Sequence, residues 1–208
     1  MIVVHGGAGN WKDERIPVGI EYVIKAANVG FRVLENGGSA LDSAEACTMF
    51  MESCGKLNAG LGARANLDGV RELDAMIVDG STLTFGSVAA VLNVQNPISL
   101  ARYIMEKTDF AFFAGSNAER LYERMIMEGY RAETEPGVVE SPFDSGAADT
   151  VGCIAVDSEG RIAATSSTGG IPKKLPGRVG DSPVMGAGAF VMAEMLGISY
   201  LDVAAAAI

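Results

Sequence analysis

DTVGCIAVDSEGRIAATSSTGGIPKKLPGRVGDS, residues 149–182, holds two strand signals folded back on one another. The apolar run from Val151 to Val156 follows Thr150 directly. The turn residues Asp157-Ser158-Glu159-Gly160 predict a reversal into a second strand over 161–167. That return strand ends in Ser167-Thr168-Gly169-Gly170, which brings Thr168 beside Thr150 across an antiparallel pair. Arg178 and Asp181 follow in a loop of glycines and prolines. Two hydroxyls and a charge pair on one sheet edge make a candidate active site. The bland alternatives are a threonine that merely starts a strand and a surface ion pair of little energetic weight.

Bulk properties narrow the class. A chain of 208 residues, 49% apolar and 20% charged, can bury a substantial core and is expected to form one domain. A net charge of -10 argues against nucleic acid or an anionic membrane as partner, since neither attracts an acidic surface. Met1 leads straight into the strand-like Ile2-Val3-Val4, so no signal peptide is expected, and no apolar run reaches membrane-spanning length. Three cysteines (Cys47, Cys54, Cys153), an odd and sparse set, suit a reducing cytoplasm. The expectation is a cytoplasmic α+β protein.

Along the chain, a short strand ends in His5-Gly6-Gly7-Ala8-Gly9. This turn matches neither the dinucleotide fingerprint nor a phosphate loop. His5 is the only histidine, and it reads as a hydrogen-bonded core residue rather than a catalyst. Helical spacing of Ile20, Val23, Ile24, Ala27, Phe31 and Leu34 stops at Asn36-Gly37-Gly38. Ser39 opens a second helix through Met51. The loop over 52–62 is rich in small residues; it either connects or turns its carbonyls around a cation. Strands are predicted over 73–78 and 82–94 around Asp79-Gly80-Ser81, with Gly86 marking a bulge or a close approach. Helices follow over 96–107, 117–127, 187–196 and 200–208, with an exposed linker at about 131–149.

A threonine hydroxyl needs a base to become a nucleophile. With one histidine and no G-x-S-x-G elbow, an economical source is the amine that cleavage between Asp149 and Thr150 would create on Thr150 itself. Such an amine titrates near pH ~8 and can accept a proton at neutral pH.

HGGAG at His5, NAGLGARANLDGVRELDAMIVDG from Asn58, DTVG at Asp149, TSSTGG from Thr165 and LPGRVGDSPVMGAG from Leu175 together resemble the plant-type asparaginase and isoaspartyl peptidase family, which are N-terminal-nucleophile hydrolases. The resemblance runs from Met1 to about Ala189. It implies a four-layer αββα sandwich made as a precursor that cleaves itself between Asp149 and Thr150. The two portions would be 1–149 and 150–208 of a single domain, working as a homodimer of αβ units. By the same resemblance Thr150 is the nucleophile and Thr168 the second threonine that assists it. Arg178 holds the substrate α-carboxylate and Asp181 its α-amino group, while Asn58 and Gly170 complete the substrate site. Catalysis would need no cofactor. The backbone carbonyls of Met51, Glu52, Cys54, Leu57, Ala59 and Leu61 would ligate a structural sodium ion. The implied substrates are L-asparagine and β-aspartyl dipeptides, hydrolysed through a β-aspartyl-threonine ester.

One departure stands out. After Gly188 the family continues into a Thr-Gly-rich loop that supplies oxyanion donors, and no such segment follows here. Either these residues are part of a longer chain, the favoured reading, or the protein is a truncated aspartate-binding relative without turnover. Asp before the threonine also leaves a glycosyl-asparagine hydrolase as a rival.

Overall fold

The computed structural model describes residues 1–9, 11–130 and 150–184, and the linker at 131–149 and the helices expected over 187–196 and 200–208 lie outside them. Four helices and one six-stranded sheet make up the described fold. In chain order they are β1 (Ile2–His5), α1 (Ile16–Glu35), α2 (Ala40–Ser53), β2 (Leu73–Asp79), β3 (Thr84–Val91), α3 (Pro97–Lys107), β4 (Phe112–Ala114), α4 (Ser116–Met127), β5 (Val151–Val156) and β6 (Ile162–Thr168).

The helix boundaries follow from local chemistry. α1 ends where the Gly37 and Gly38 amides turn back to the carbonyls of Leu34 and Val33, 3.0 and 2.9 Å away. Ser39 then caps α2: its hydroxyl accepts the Asp42 amide, and the Asp42 carboxylate reaches back to the Ser39 amide. Such a cap stabilises a helix start by about 1 kcal/mol.

The sheet runs β1-β5-β6-β2-β3-β4, antiparallel throughout except for β4 on β3. Alternation of side chains gives the sheet two faces, and the helices cover one of them in two adjoining clusters. Val151, Cys153, Ala155 and Ala163 pack with Ala40, Ala44, Cys47 and Met51 of α2, and Ala26 of α1 joins them. Leu73, Ala75, Ile77 and Val88 pack with Ile98, Leu100 and Ile104 of α3, and Met125 of α4 closes this second cluster. Gly86 is the close approach that its place in a strand suggested, because a Cβ there would collide with the Ala101 carbonyl of α3. The bulge lies further on, where two residues of β3 oppose Asp74 between the pairs Leu73↔Val91 and Ala75↔Val88.

The α+β class holds, and the described residues supply one helical layer and one sheet of the four-layer arrangement. Two details differ from the sequence reading. The second hairpin strand is shorter at both ends than 82–94, because Leu83 and Asn93 adopt left-handed backbone at φ 56° and 53°. Strand β4 was not expected; three residues carry too little pattern to be read.

The β5–β6 turn is tied to α2 through Asp157. Its carboxylate accepts the Arg161 guanidinium at 2.8 Å, the Glu159 and Arg161 amides at 3.0 Å each, and the Ala40 amide at 3.2 Å. Partial removal from water pushes the carboxyl up, but the Arg161 side chain and these amides outweigh it and bring the pKa to about 2. A depressed folded-state value stabilises above the ordinary 3.8 and stops doing so as pH falls through about 2. Asp157→Asn is therefore expected to lower the melting temperature at pH 7, with the gap to the parent protein closing between pH 4 and 2. A gap that stays constant over that range would contradict this account.

Candidate active site

The face of the sheet opposite the helices carries the site. Pairing of β5 with β6 sets Val151 across from Ser167, so Thr150, one step further, stands opposite Thr168. β1 flanks β5 on the other side with His5 across from Gly152. Residues 171–184 return over this face and are fastened to it. Ser166 donates its hydroxyl to the Ser182 carbonyl at 2.6 Å, and Ser87 donates to the Pro183 carbonyl.

Between the strand ends and this returning loop lies a cavity of about 250 Å³, lined among others by His5, Thr150, Thr168, Arg178, Asp181 and Ser182. Four residues chosen from the sequence, Thr150, Thr168, Arg178 and Asp181, therefore share one cavity, and Gly170 lines it too. Asn58 reaches the cavity through Gly170: its carboxamide nitrogen donates to the Gly170 carbonyl at 2.8 Å, and its oxygen accepts the Arg64 amide at 2.9 Å. The Thr168 hydroxyl accepts the Gly170 amide at 2.9 Å, which fixes the chain as it leaves β6. Asp149 lies outside the described residues.

Three features escaped the sequence. Ser182 is 2% exposed, and its hydroxyl lies 3.0 Å from the Thr150 hydroxyl. His5 is not a core residue: its Nδ1 lies 3.1 Å from the Thr150 carbonyl and 3.3 Å from the Gly7 amide nitrogen, on the cavity wall. The family resemblance gives a role only to the Glu52 carbonyl, yet its fully buried side chain joins three elements. Its carboxylate accepts the Ser167 hydroxyl at 2.7 Å, the Ile98 amide at 3.1 Å and the Asn96 carboxamide at 3.2 Å. Burial pushes its pKa up to about 8, against the pull of those donors and with a smaller push from Glu45. Leaving one such buried donor without a partner costs about 1–3 kcal/mol, so Glu52 holds β6 to the start of α3 immediately beside Thr168.

The loop after α2 packs tightly on itself. Met51, Glu52, Leu57 and Ala59 are buried, and Cβ atoms at Gly60 and Gly62 would collide with the carbonyls of Glu52 and Leu57. The Met51, Leu57 and Ala59 carbonyls each accept one hydrogen bond, from the Cys54 thiol and from the Ala59 and Gly62 amides, and each keeps a second lone pair. A donor set of neutral carbonyl oxygens fits a hard cation. Among the described residues no cluster of His, Cys, Asp or Glu is arranged to hold a metal.

A six-stranded sheet with helices packed on one face fits the fold of the N-terminal-nucleophile hydrolases. The asparaginase family, which has that fold, matches residues 1–137 and 131–200, and the chain belongs to it. The isoaspartyl peptidase/L-asparaginase of Rattus norvegicus is 40% identical over 91% of this chain and 62% of its own length. The plant-type L-asparaginase of Pyrococcus horikoshii is 39% identical, covering 91% of this chain and 69% of the relative. The isoaspartyl peptidase of Salmonella typhimurium is 34% identical over 96% and 72%. The chain thus spans less than two thirds of the rat relative.

The contact of Ser182 with Thr150 has a measurable consequence. Ser182→Ala is expected to slow any reaction at the Thr150 hydroxyl three- to tenfold, the worth of one hydrogen bond of about 1 kcal/mol. Ser182→Thr, which keeps a hydroxyl there, is expected to retain the rate. Timed mass spectra of the purified variants read the difference, and equal rates in Ser182→Ala and the parent would remove Ser182 from the site.

Proposed function

We propose that the protein hydrolyses the side-chain amide of L-asparagine and the isopeptide bond of β-aspartyl dipeptides, with Thr150 as nucleophile after self-cleavage between Asp149 and Thr150. One observation carries the reading: the Thr150 hydroxyl opens into the same cavity as Arg178 and Asp181, a cation and an anion three residues apart. The names of the relatives from Rattus norvegicus and Salmonella typhimurium support it.

Arg178 pairs with the substrate α-carboxylate and Asp181 with its α-ammonium, so the β-carbonyl faces Thr150. Asn58 and Gly170 frame the same end of the substrate. The Thr150 hydroxyl attacks the β-carbonyl carbon while its own α-amine takes the proton. That proton passes to the departing nitrogen as the carbon–nitrogen bond breaks, leaving a β-aspartyl ester on Thr150. Water then adds to the ester carbonyl and releases aspartate and the free hydroxyl. Thr168 and Ser182 hold the hydroxyl in line, and His5 anchors the residue through its carbonyl. Self-cleavage uses the same hydroxyl against the Asp149 carbonyl: the Asp149–Thr150 carbon–nitrogen bond breaks as the ester forms, the hydroxyl proton passing to the freed amine, and water then hydrolyses the ester to release the Asp149 carboxylate and the Thr150 hydroxyl.

The loop at 51–61 binds a sodium ion through the carbonyls of Met51, Glu52, Cys54, Leu57, Ala59 and Leu61, and the tight glycine packing supports this assignment. When bound, the ion supplies charge balance for inward-turned carbonyls and no chemistry. Replacing sodium with a bulky organic cation at equal ionic strength is expected to lower the melting temperature by several degrees, and equal melting in the two salts would exclude the ion. Two αβ units form a dimer in this reading. A reducing compartment suits Cys47, Cys54 and Cys153, all free thiols. Among the described residues no helix is long and apolar enough to cross a membrane.

Intact mass and product analysis test the main claim. The parent protein is expected to split at Asp149/Thr150 and to release aspartate. Thr150→Ala is expected to remain one chain and to lose at least about a thousandfold in rate. A Thr150→Ala protein that still cleaves or turns over asparagine would refute the mechanism. Uncut protein that binds aspartate without turnover would point to the ligand-binding alternative, and preference for glycosyl-asparagine to the glycosylated substrate.

A further inference from the structure

The loop that bears Arg178 and Asp181 rests on a group of buried charges for which the proposed chemistry has no use. Asp74 is 0% exposed, in the middle of the sheet, paired in register with Thr168. Glu72, just before β2, is 7% exposed, and Lys174 is 2% exposed. Taking charges out of water costs several kcal/mol per ion, and apolar side chains of similar volume satisfy a purely structural need as well or better.

Each carboxylate is engaged with that loop. Glu72 accepts the Gly177 amide at 2.6 Å, on one side of Arg178. Asp74 accepts the Gly180 amide at 3.5 Å, on the other side and next to Asp181. Lys174 donates to the Glu72 carbonyl at 3.0 Å, pinning the loop before Arg178 is reached. The other oxygen of Asp74 accepts the Ala90 amide at 2.8 Å. Ala90 belongs to the β3 bulge and has φ +48°, backbone that a residue with a Cβ rarely adopts. The bulge thus turns an amide onto Asp74 at the cost of local strain, a pattern that clusters at functional sites. Burial pushes the Asp74 carboxyl up, while the Ala90 amide, Lys174, the Gly180 amide and Arg178 pull it down.

We propose that Asp74, assisted by Glu72, is the positioning residue of the substrate clamp: Asp74 fixes the backbone after Arg178 and Glu72 the backbone before it, and together they set the spacing at which Arg178 and Asp181 meet an α-amino acid head group. This rests on the assignment of Arg178 and Asp181 to that head group. Asp74 does not touch the substrate; it acts through the Gly180 amide. Asn at this position keeps the shape and removes the charge, and its amide group turns a donor toward the Gly180 or Ala90 donors.

Calorimetric titration of the whole protein with L-aspartate, together with steady-state kinetics on L-asparagine, tests the proposal. Asp74→Asn is expected to raise the aspartate Kd and the asparagine KM at least tenfold while kcat changes less than threefold. A merely structural aspartate would lower the melting temperature and the active fraction and leave Kd and KM where they were. That result, alongside loss of aspartate binding in Arg178→Ala, would overturn the role of Asp74 and leave the clamp standing. Unchanged aspartate binding in Arg178→Ala would overturn the clamp itself, and this inference with it. If Asp74→Asn does not fold, Glu72→Gln carries the test: a rise in Kd of threefold or more supports the proposal, and an unchanged Kd overturns it.

Discussion

The antiparallel pairing of β5 with β6 is the constraint on which the site depends. Val151 opposite Ser167 carries the register one step further to Thr150 and Thr168, and slipping it by one residue would send every side chain of β5 to the other face. The helix-facing set, Val151, Cys153 and Ala155, is buried against α2, so such a slip would expose the core and bury Gly152 in its place. Hydrophobic burial on one face therefore dictates the position of a hydroxyl at the strand's end. Asp157 secures the same hairpin from its turn by holding both Arg161 and the first amide of α2.

Polar groups do the corresponding work next to the site. Ser166 and Ser87 hold the returning segment by its carbonyls, Glu72 and Asp74 hold it by its amides, and Glu52 holds β6 from the helix side through Ser167. Buried hydrogen bonds of this kind add modest net stability, but a missing partner is expensive, so they narrow the arrangements the loop can take. A cavity walled by hydroxyls and a long arginine side chain would otherwise have no fixed geometry.

Much of this was legible in the sequence because the signals were local. Thr150 and Thr168 bracket a hairpin whose turn residues are unambiguous, and the capped junction between α1 and α2 is written in Asn36-Gly37-Gly38-Ser39. The remainder depends on tertiary contacts. Ser182 sits in a Gly/Pro loop where one serine resembles any other until the loop folds back onto Thr150. His5 on an apolar strand gave no sign that β1 would lie beside β5 and Thr150. Strand β4 exists only because β3 offers it an edge. Asp74 did leave a trace: a carboxylate inside Leu73-Asp74-Ala75-Met76-Ile77 breaks an otherwise apolar run, and a buried charge in a strand calls for a partner. The partners, Gly180 and Ala90, come from a distant loop and from a bulge that periodicity does not register.

Strand order also bears on what a cut between Asp149 and Thr150 would do. Taken across the sheet, β1 comes from the first portion, β5 and β6 from the second, and β2, β3 and β4 from the first again. The strands of the second portion are thus held on both sides by ladders to the first, Ile2↔Ala155 to His5↔Gly152 on one edge and Asp74↔Thr168 to Asp79↔Ala163 on the other. Separating the portions would break both ladders and expose the apolar face shared with α2. Thr150 precedes the first paired residue of β5, so freeing its amine removes no rung from either ladder. The topology therefore lets a new chain end form inside the cavity while the sheet that shapes the cavity stays whole.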